Sequence, residues 1–207
     1  MNDFLSLLLA NQSRARVIRT FISNESERMS VATIARRSGV SPRAAKLEIT
    51  ALLKMKLISQ SKHMVPATEG KKRAKKKSRT EDVWGLVVEN KYVRALTSFV
   101  HEVSPAQYQD VERALKSTGR LSTVILSGLF VGDPSRPADL IISGDSVNER
   151  RVEKAVRTLE PKFGREIRYT ILSTPEFRYR LTVQDRLLRD VLDFPHRILI
   201  NRAGILK

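Results

Sequence analysis

Two sets of side chains in this sequence could do chemistry, and they point in different directions. The first is cationic. Residues 62–79 (KHMVPATEGKKRAKKKSR) carry eight Lys and Arg against the single acid Glu69, a density that suits the phosphates of a nucleic acid. A solvated basic loop competes with that reading, as does a patch for anionic lipid, which usually comes with an amphipathic helix bearing aromatics. The second set is acidic and sparse. Residues 124–142 (VILSGLFVGDPSRPADLII) place Gly128 before a short loop and Asp139 after it, and Glu166 opens a later apolar run. A glycine that lets the backbone approach phosphates, followed by carboxylates that can hold Mg²⁺, is the equipment of phosphoryl transfer. Here Leu129 follows the glycine and Pro137 lies two residues before Asp139, with Asp133 and Asp145 nearby. The blander expectation, which we favour, is that Asp139 caps or hydrogen-bonds a loop and Gly128 makes a turn. His63, His101 and His196 lie far apart and have no metal-binding spacing. No serine sits in a glycine-flanked hydrolase elbow. Tyr169, Phe177 and Tyr179 alternate with Arg168, Arg178 and Arg180, which could stack RNA bases but reads better as core plus solvated charge.

The elements around these residues follow from periodicity. Asn11–Ser23 reads as an amphipathic helix with Val17, Ile18, Phe21 and Ile22 on one face. Ser30 is a cap for a helix with Val31, Ile34 and Ala35 inward, and Gly39 ends it. Ser41 then caps a second helix, Pro42 suits its first position, and Ala45, Ile49 and Leu52 point inward. Two short helices joined by a tight glycine turn make a helix-turn-helix. By that register Ser41, Arg43, Ala44, Lys46, Leu47 and Thr50 lie on the outer face, where a helix entering a major groove needs small, polar or cationic residues. Lys54, Arg36 and Arg37 are placed to meet phosphates. Leu57–Ser61 reads as a strand and Val83–Val88 as its return partner, which makes the basic stretch a wing of about 20 residues, long for a hairpin loop. Helices are expected over 91–103 and 105–118, the latter capped by Ser104. Beyond residue 121 short apolar runs alternate with helices: strands at Ser122–Leu126, Asp139–Ile142, Glu166–Leu172 and Arg197–Ile200, helices at Val147–Leu159 and Pro175–Phe194, with Thr174 as the cap of the last. That alternation predicts a small α/β unit.

Composition bounds the class. The 207 residues carry 38 Lys plus Arg and 22 Asp plus Glu, a formal net charge of +16, with 41% apolar residues. Against about 150 residues per domain this is one large domain or two small ones, able to bury a core. The charge is uneven: residues 1–86 carry 18 bases and 7 acids, residues 87–207 carry 20 and 15. The absence of cysteine excludes disulfides, thiolate-bound zinc, iron–sulfur clusters and a thiol nucleophile. The apolar run Phe4–Ala10 is far shorter than the roughly 20 residues of a membrane span and has no positive leader before it, so a cytoplasmic protein is expected.

Residues 7–88 resemble the winged-helix transcriptional regulators of the ArsR/MarR type, in LLLANQSRARVIRTFI, in VATIARRSGVSPRAAKLEITALLKMKLI and in the Trp84-Gly85-Leu86 that closes the wing. Such regulators commonly bind DNA as dimers, so the resemblance implies a homodimer on a pseudo-palindrome; Lys56 stands where the family often has Gly. Residues 124–142 with the following helix and EIRYTIL resemble the minimal nucleotidyltransferase domain. Its Gly-Ser pair and acidic pair are incomplete here, which leaves Gly128, Asp139 and Glu166 as a residual nucleotide site. The expectation is therefore an α+β protein with an N-terminal winged helix-turn-helix over 1–89, a helical linker over 90–120 and a non-catalytic nucleotidyltransferase-like α/β domain over 121–207. Its partner would be double-stranded DNA, with Arg43, Lys46 and Thr50 reading bases and Lys71, Lys72, Arg73, Lys75, Lys76 and Lys77 gripping the backbone and minor groove. No cofactor, metal or membrane is expected, and the C-terminal domain could take a nucleotide or protein effector or serve in dimerisation. The rival is a nucleotidyltransferase acting on protein or RNA, with Asp139 and Glu166 as metal ligands and the winged helix as targeting module.

Overall fold

The computed structural model describes residues 3–65, 79–103, 108–202, 204 and 206. They form a mixed α+β protein with two small sheets. In chain order come α1 (Phe4–Leu8), α2 (Gln12–Ile22), α3 (Val31–Ser38), α4 (Pro42–Lys54), β1 (Ile58–Val65), β2 (Arg79–Leu86), α5 (Val93–Glu102) and α6 (Tyr108–Leu115). There follow β3 (Arg120–Leu126), a 3-10 turn at Gly128–Val131, β4 (Leu140–Asp145), α7 (Glu149–Phe163), β5 (Tyr169–Leu172), α8 (Thr174–Thr182), α9 (Arg186–Leu192) and β6 (Arg197–Asn201).

Local chemistry sets the helix starts. Asn11, Ser30 and Ser41 each accept a hydrogen bond from the backbone N–H three residues on, satisfying a donor that the first turn would leave orphaned. Asp3 does the same for Ser6, which starts a helix α1 that the short apolar run Phe4–Ala10 did not announce. α2, α3 and α4 then bury Ile18, Phe21, Ile34, Ala45, Ile49 and Leu52 in one core. β1 and β2 pair antiparallel from Ile58 opposite Leu86 to Val65 opposite Arg79. Both strands are longer than the apolar alternation indicated, because the outer rungs pair polar residues, Lys62 with Asp82 and His63 with Glu81, on a solvated ribbon. The connection is accordingly shorter than expected, residues 66–78. A further rung is contributed by Met29, whose N–H and carbonyl both bond Trp84 at 2.8 and 2.9 Å.

The larger sheet has the order β5-β4-β3-β6, with β3 antiparallel to β4 and β6 and β4 parallel to β5. Side chains alternate across it. Val124, Leu126, Leu140 and Ile142 pack with Val111 and Leu115 of α6 and Val152, Val156 and Leu159 of α7. Ile125 and Ile141 pack on the other face with Phe177 of α8 and Leu188 and Val191 of α9. The 90–120 stretch is thus split: α5 contributes Val100 to the first core and α6 joins the second.

Three details of the C-terminal half differ from the sequence expectation. Ser173 is the N-cap of α8, its Oγ accepting from Glu176 N at 3.2 Å, while the Thr174 hydroxyl bonds Ser122 Oγ at 3.1 Å. The helix expected over Pro175–Phe194 breaks into α8 and α9, because Gln184 turns left-handed (φ 53°) and the Asp185 carboxylate caps Leu187 and Leu188. The strand expected from Glu166 pairs only from Tyr169, since the backbone of Arg168 is taken by Asp139 and Leu140.

The two cores meet where α2 and α3 lie on α7. Ser23 Oγ donates to the Phe163 carbonyl and Asn24 Nδ2 to the Gly164 carbonyl, each at 2.9 Å. Gly164 ends α7 with φ 72°, and a Cβ there would stand 2.5 Å from Thr20 Cα, so this contact requires glycine.

Candidate functional sites

α4 presents one polar, cationic face. Ser41, Arg43, Lys46, Thr50 and Lys54 are exposed and Ala44 is half-buried. The Ser41 hydroxyl is occupied as the cap, accepting from Ala44 N at 3.2 Å, and the Thr50 hydroxyl donates to the Lys46 carbonyl at 2.9 Å. Among these, Arg43, Lys46 and Lys54 have no ion-pair partner among the described residues, so their charges are available to a ligand. Leu47 stands 65% exposed in the middle of the face, able to meet a thymine methyl group. The helix is held from behind by Glu48, 6% exposed, which accepts from Asn11 Nδ2 and Arg14 Nε, both at 2.8 Å. The sequence periodicity placed Ala45, Ile49 and Leu52 correctly on the inner face but gave no sign of Glu48 as an anchor, because its partners are more than 30 positions away.

The phosphate-contact residues divide. Arg36 is exposed. Arg37 is occupied elsewhere: its Nη1 donates to Asn24 Oδ1 at 2.7 Å and to Glu27 Oε2 at 2.8 Å, which draws it toward the α2–α3 turn. Lys71, Lys72, Arg73, Lys75, Lys76 and Lys77, and the cap position Ser104, lie outside the described residues.

The Gly128–Asp139 pair forms a closed structural knot. Asp139 is fully buried, and both its oxygens are consumed: Oδ1 accepts from Leu129 N at 2.9 Å and Arg168 Nη2 at 3.0 Å, Oδ2 from Arg168 N at 2.9 Å and Nε at 3.1 Å. Gly128 has φ 52°, and a Cβ there would lie 2.2 Å from Asp139 Oδ1, so the glycine makes room for the carboxylate rather than for a phosphate. Glu166 is exposed and stands apart, on the wall of a cleft with Arg165 and Arg168. The partner that sequence reading missed is Arg168, 29 positions from Asp139 and visible only through the pairing of β4 with β5.

Neighbouring acids have ordinary structural jobs. Asp133 accepts from Ser135 N at 3.1 Å and pairs with Arg136 at 2.9 Å; the Ser135 hydrogen bonds, outweighing burial, lower its pKa below the usual carboxylate value. Of the aromatics, Phe177 is fully buried whereas Tyr179 is 66% exposed, and Arg180 pairs with Glu176, so they form no common stacking surface. His63 lies on β1, His101 on α5, and His196 bonds the Phe194 carbonyl through Nδ1. Among the described residues no three His, Asp or Glu side chains converge as a metal site, and no helix is long and apolar enough to cross a membrane.

Comparison with known proteins adds no relative: no family model, no curated protein and no solved structure matches the chain.

Proposed function

We propose that the chain is a DNA-binding regulator, with residues 1–89 acting as a winged helix, 90–120 as the joining helices and 121–207 as a nucleotidyltransferase-like module without catalysis. The observation that carries this reading is the α4 face, a capped helix whose outer side offers Arg43, Lys46, Thr50 and Lys54 while Glu48 and the inner apolar residues hold it rigid. Guanidinium and ammonium donors near the N-terminal half of such a helix suit guanine edges and phosphates. β1 packs against α4, and the lysine-rich connection at 66–78 supplies phosphate and minor-groove contacts in this reading. Binding is proposed to be by a homodimer, for which the exposed apolar side chains Phe4, Leu7 and Leu8 of α1 offer surface.

The surroundings of Asp139 favour this reading over the transferase alternative. A carboxylate whose oxygens already accept four protein hydrogen bonds has no lone pair free for Mg²⁺, and Glu166 alone does not make a metal site. Selection of bound sequences from a random duplex pool at about 0.15 M salt, where non-specific binding is partly suppressed, tests the proposal. An enriched inverted repeat with half-sites about one helical turn apart supports a dimeric reader. Retained binding with no enrichment overturns sequence-specific regulation.

A further inference from the structure

We infer that the cleft between α2–α3 and the α7–β5 loop is a binding site for a small oxyanion, a phosphate or carboxylate group held by Arg165 and Arg168. The cleft has a volume of about 660 Å³ and takes its walls from both cores: Asn24 and Arg37 on one side, Ser135, Arg165 and Arg168 on the other, with His101 of α5 between them.

Arg165 is the residue that asks for a ligand. It is half-buried, and among the described residues it has no hydrogen-bond or ion-pair partner. Burial, and after it the like charge of Arg168, lower its pKa from the ordinary value, against the opposing charges of Asp139 and Glu27. The two acids whose charge reaches it are already spent. Asp139 is taken by Arg168 and Leu129, and Glu27 by Arg37 at 2.8 Å. Folding has thus brought Arg165 to the same wall as Arg168, whose Nε and Nη2 are held by Asp139 and the Pro134 carbonyl, and left the Arg165 donors facing the open cleft, an arrangement that an oxyanion can complete.

A second observation lies behind the same wall. Arg19 is 2% exposed, and although its Nη2 reaches Asp3 and the Val103 carbonyl, its Nε and Nη1 are buried without a partner among the described residues. It borders a cavity of about 20 Å³ that shares Ser23, His101 and Pro134 with the cleft, room for about one water. Cationic side chains therefore border both the cleft and the space next to it. Glu25, Glu27 and Glu166 also line the cleft, Glu27 already paired with Arg37; their charge limits the ligand to a compact anion and disfavours a polyphosphate or a nucleic-acid backbone, which separates this site from the α4 face.

Because both cores contribute walls, a bound anion adds to the stability of the whole chain and can be read by melting temperature. Full-length protein is titrated at constant ionic strength with inorganic phosphate and, in a parallel arm, with malonate, chloride being the reference. Wild type should show a saturable rise of about 3 °C at ten times the dissociation constant, the responding arm identifying phosphate or carboxylate as the group recognised. Arg165→Gln should abolish the response, Arg165→Lys should retain part of it, and Arg43→Ala should respond as wild type does, with circular dichroism verifying that each is folded. An equal response in Arg165→Gln, a response lost in Arg43→Ala, or no response of wild type beyond chloride in either arm overturns the inference.

Discussion

Two single residues test how far local geometry governs this chain. Lys56 has φ 56° and is exposed, with its carbonyl accepting from Asn90 Nδ2 at 2.8 Å. In the left-handed conformation a side chain costs about 1 kcal/mol of backbone strain that glycine avoids. Lys56→Gly should therefore raise stability by roughly 0.5–1 kcal/mol in urea unfolding, and a loss of stability would show that the lysine side chain contributes more than its strain. Asp139 offers the opposite case. Asp139→Asn puts an amide donor against the Leu129 N–H and the Arg168 guanidinium, and should cost about 3 kcal/mol. A carboxylate kept for catalysis instead of structure commonly behaves the other way, its removal relieving repulsion and leaving the protein as stable or more so; denaturant midpoints of the wild type and variant decide between the two.

Among the elements, the proposed DNA binding divides its work between α4 and the connection of the β1–β2 ribbon. α4 is fixed at its back by Glu48 and by Ala45, Ile49 and Leu52, so its outer side chains are presented with little freedom, as base reading requires. Arg43→Ala is expected to weaken the preferred sequence by about 1–3 kcal/mol and to relax preference at one position. Replacing Lys71, Lys72, Arg73, Lys75, Lys76 and Lys77 by Gln should weaken all duplexes alike. If about six phosphates are neutralised, the slope of log K against log salt is about −5 and should flatten toward zero in that variant. Competition assays across a salt series distinguish these effects, and equal effects from both variants would contradict the division of labour.

The whole molecule is joined by charged contacts that make it acid-sensitive. The Lys162 hydrogen bond linking α7 to α6 lowers the Asp110 pKa despite some burial. Burial alone would raise Asp3, but the bonds from Arg19 and Ser6 outweigh it and hold its carboxyl below the usual value. Such groups contribute stability that is fully present above about pH 4, the unfolded value, and is lost as pH falls through the lower folded values. His101 is shifted the same way by a different cause: burial first, with Arg165 adding to it and Glu25 opposing, lowers its pKa and favours the neutral ring. Its contribution is present above about pH 6.5 and declines as pH falls below that. Melting temperatures should then be flat from pH 7 to 8, decline modestly below 6.5 and fall further below 4; a rise on acidification would contradict these assignments.

What the amino-acid order determined by itself is local. The caps at Ser30 and Ser41, the stop at Gly39, the inward residues of α4 and the apolar runs of β3 and β4 all arise from interactions within a few positions, so they were legible in advance, whereas the cap at Asn11 was not read. The incomplete carboxylate pair at Asp139 was legible for the same reason. Only the tertiary structure decided where charged side chains end up. Glu48 with Arg14, Arg37 with Glu27 and Asp139 with Arg168 join residues on different elements, and a guanidinium has no periodic signature that announces its partner. The cleft with Arg165 belongs to the same class: its walls come from segments more than a hundred positions apart, and only long-range packing brings that cation there without a direct ion pair among the described residues.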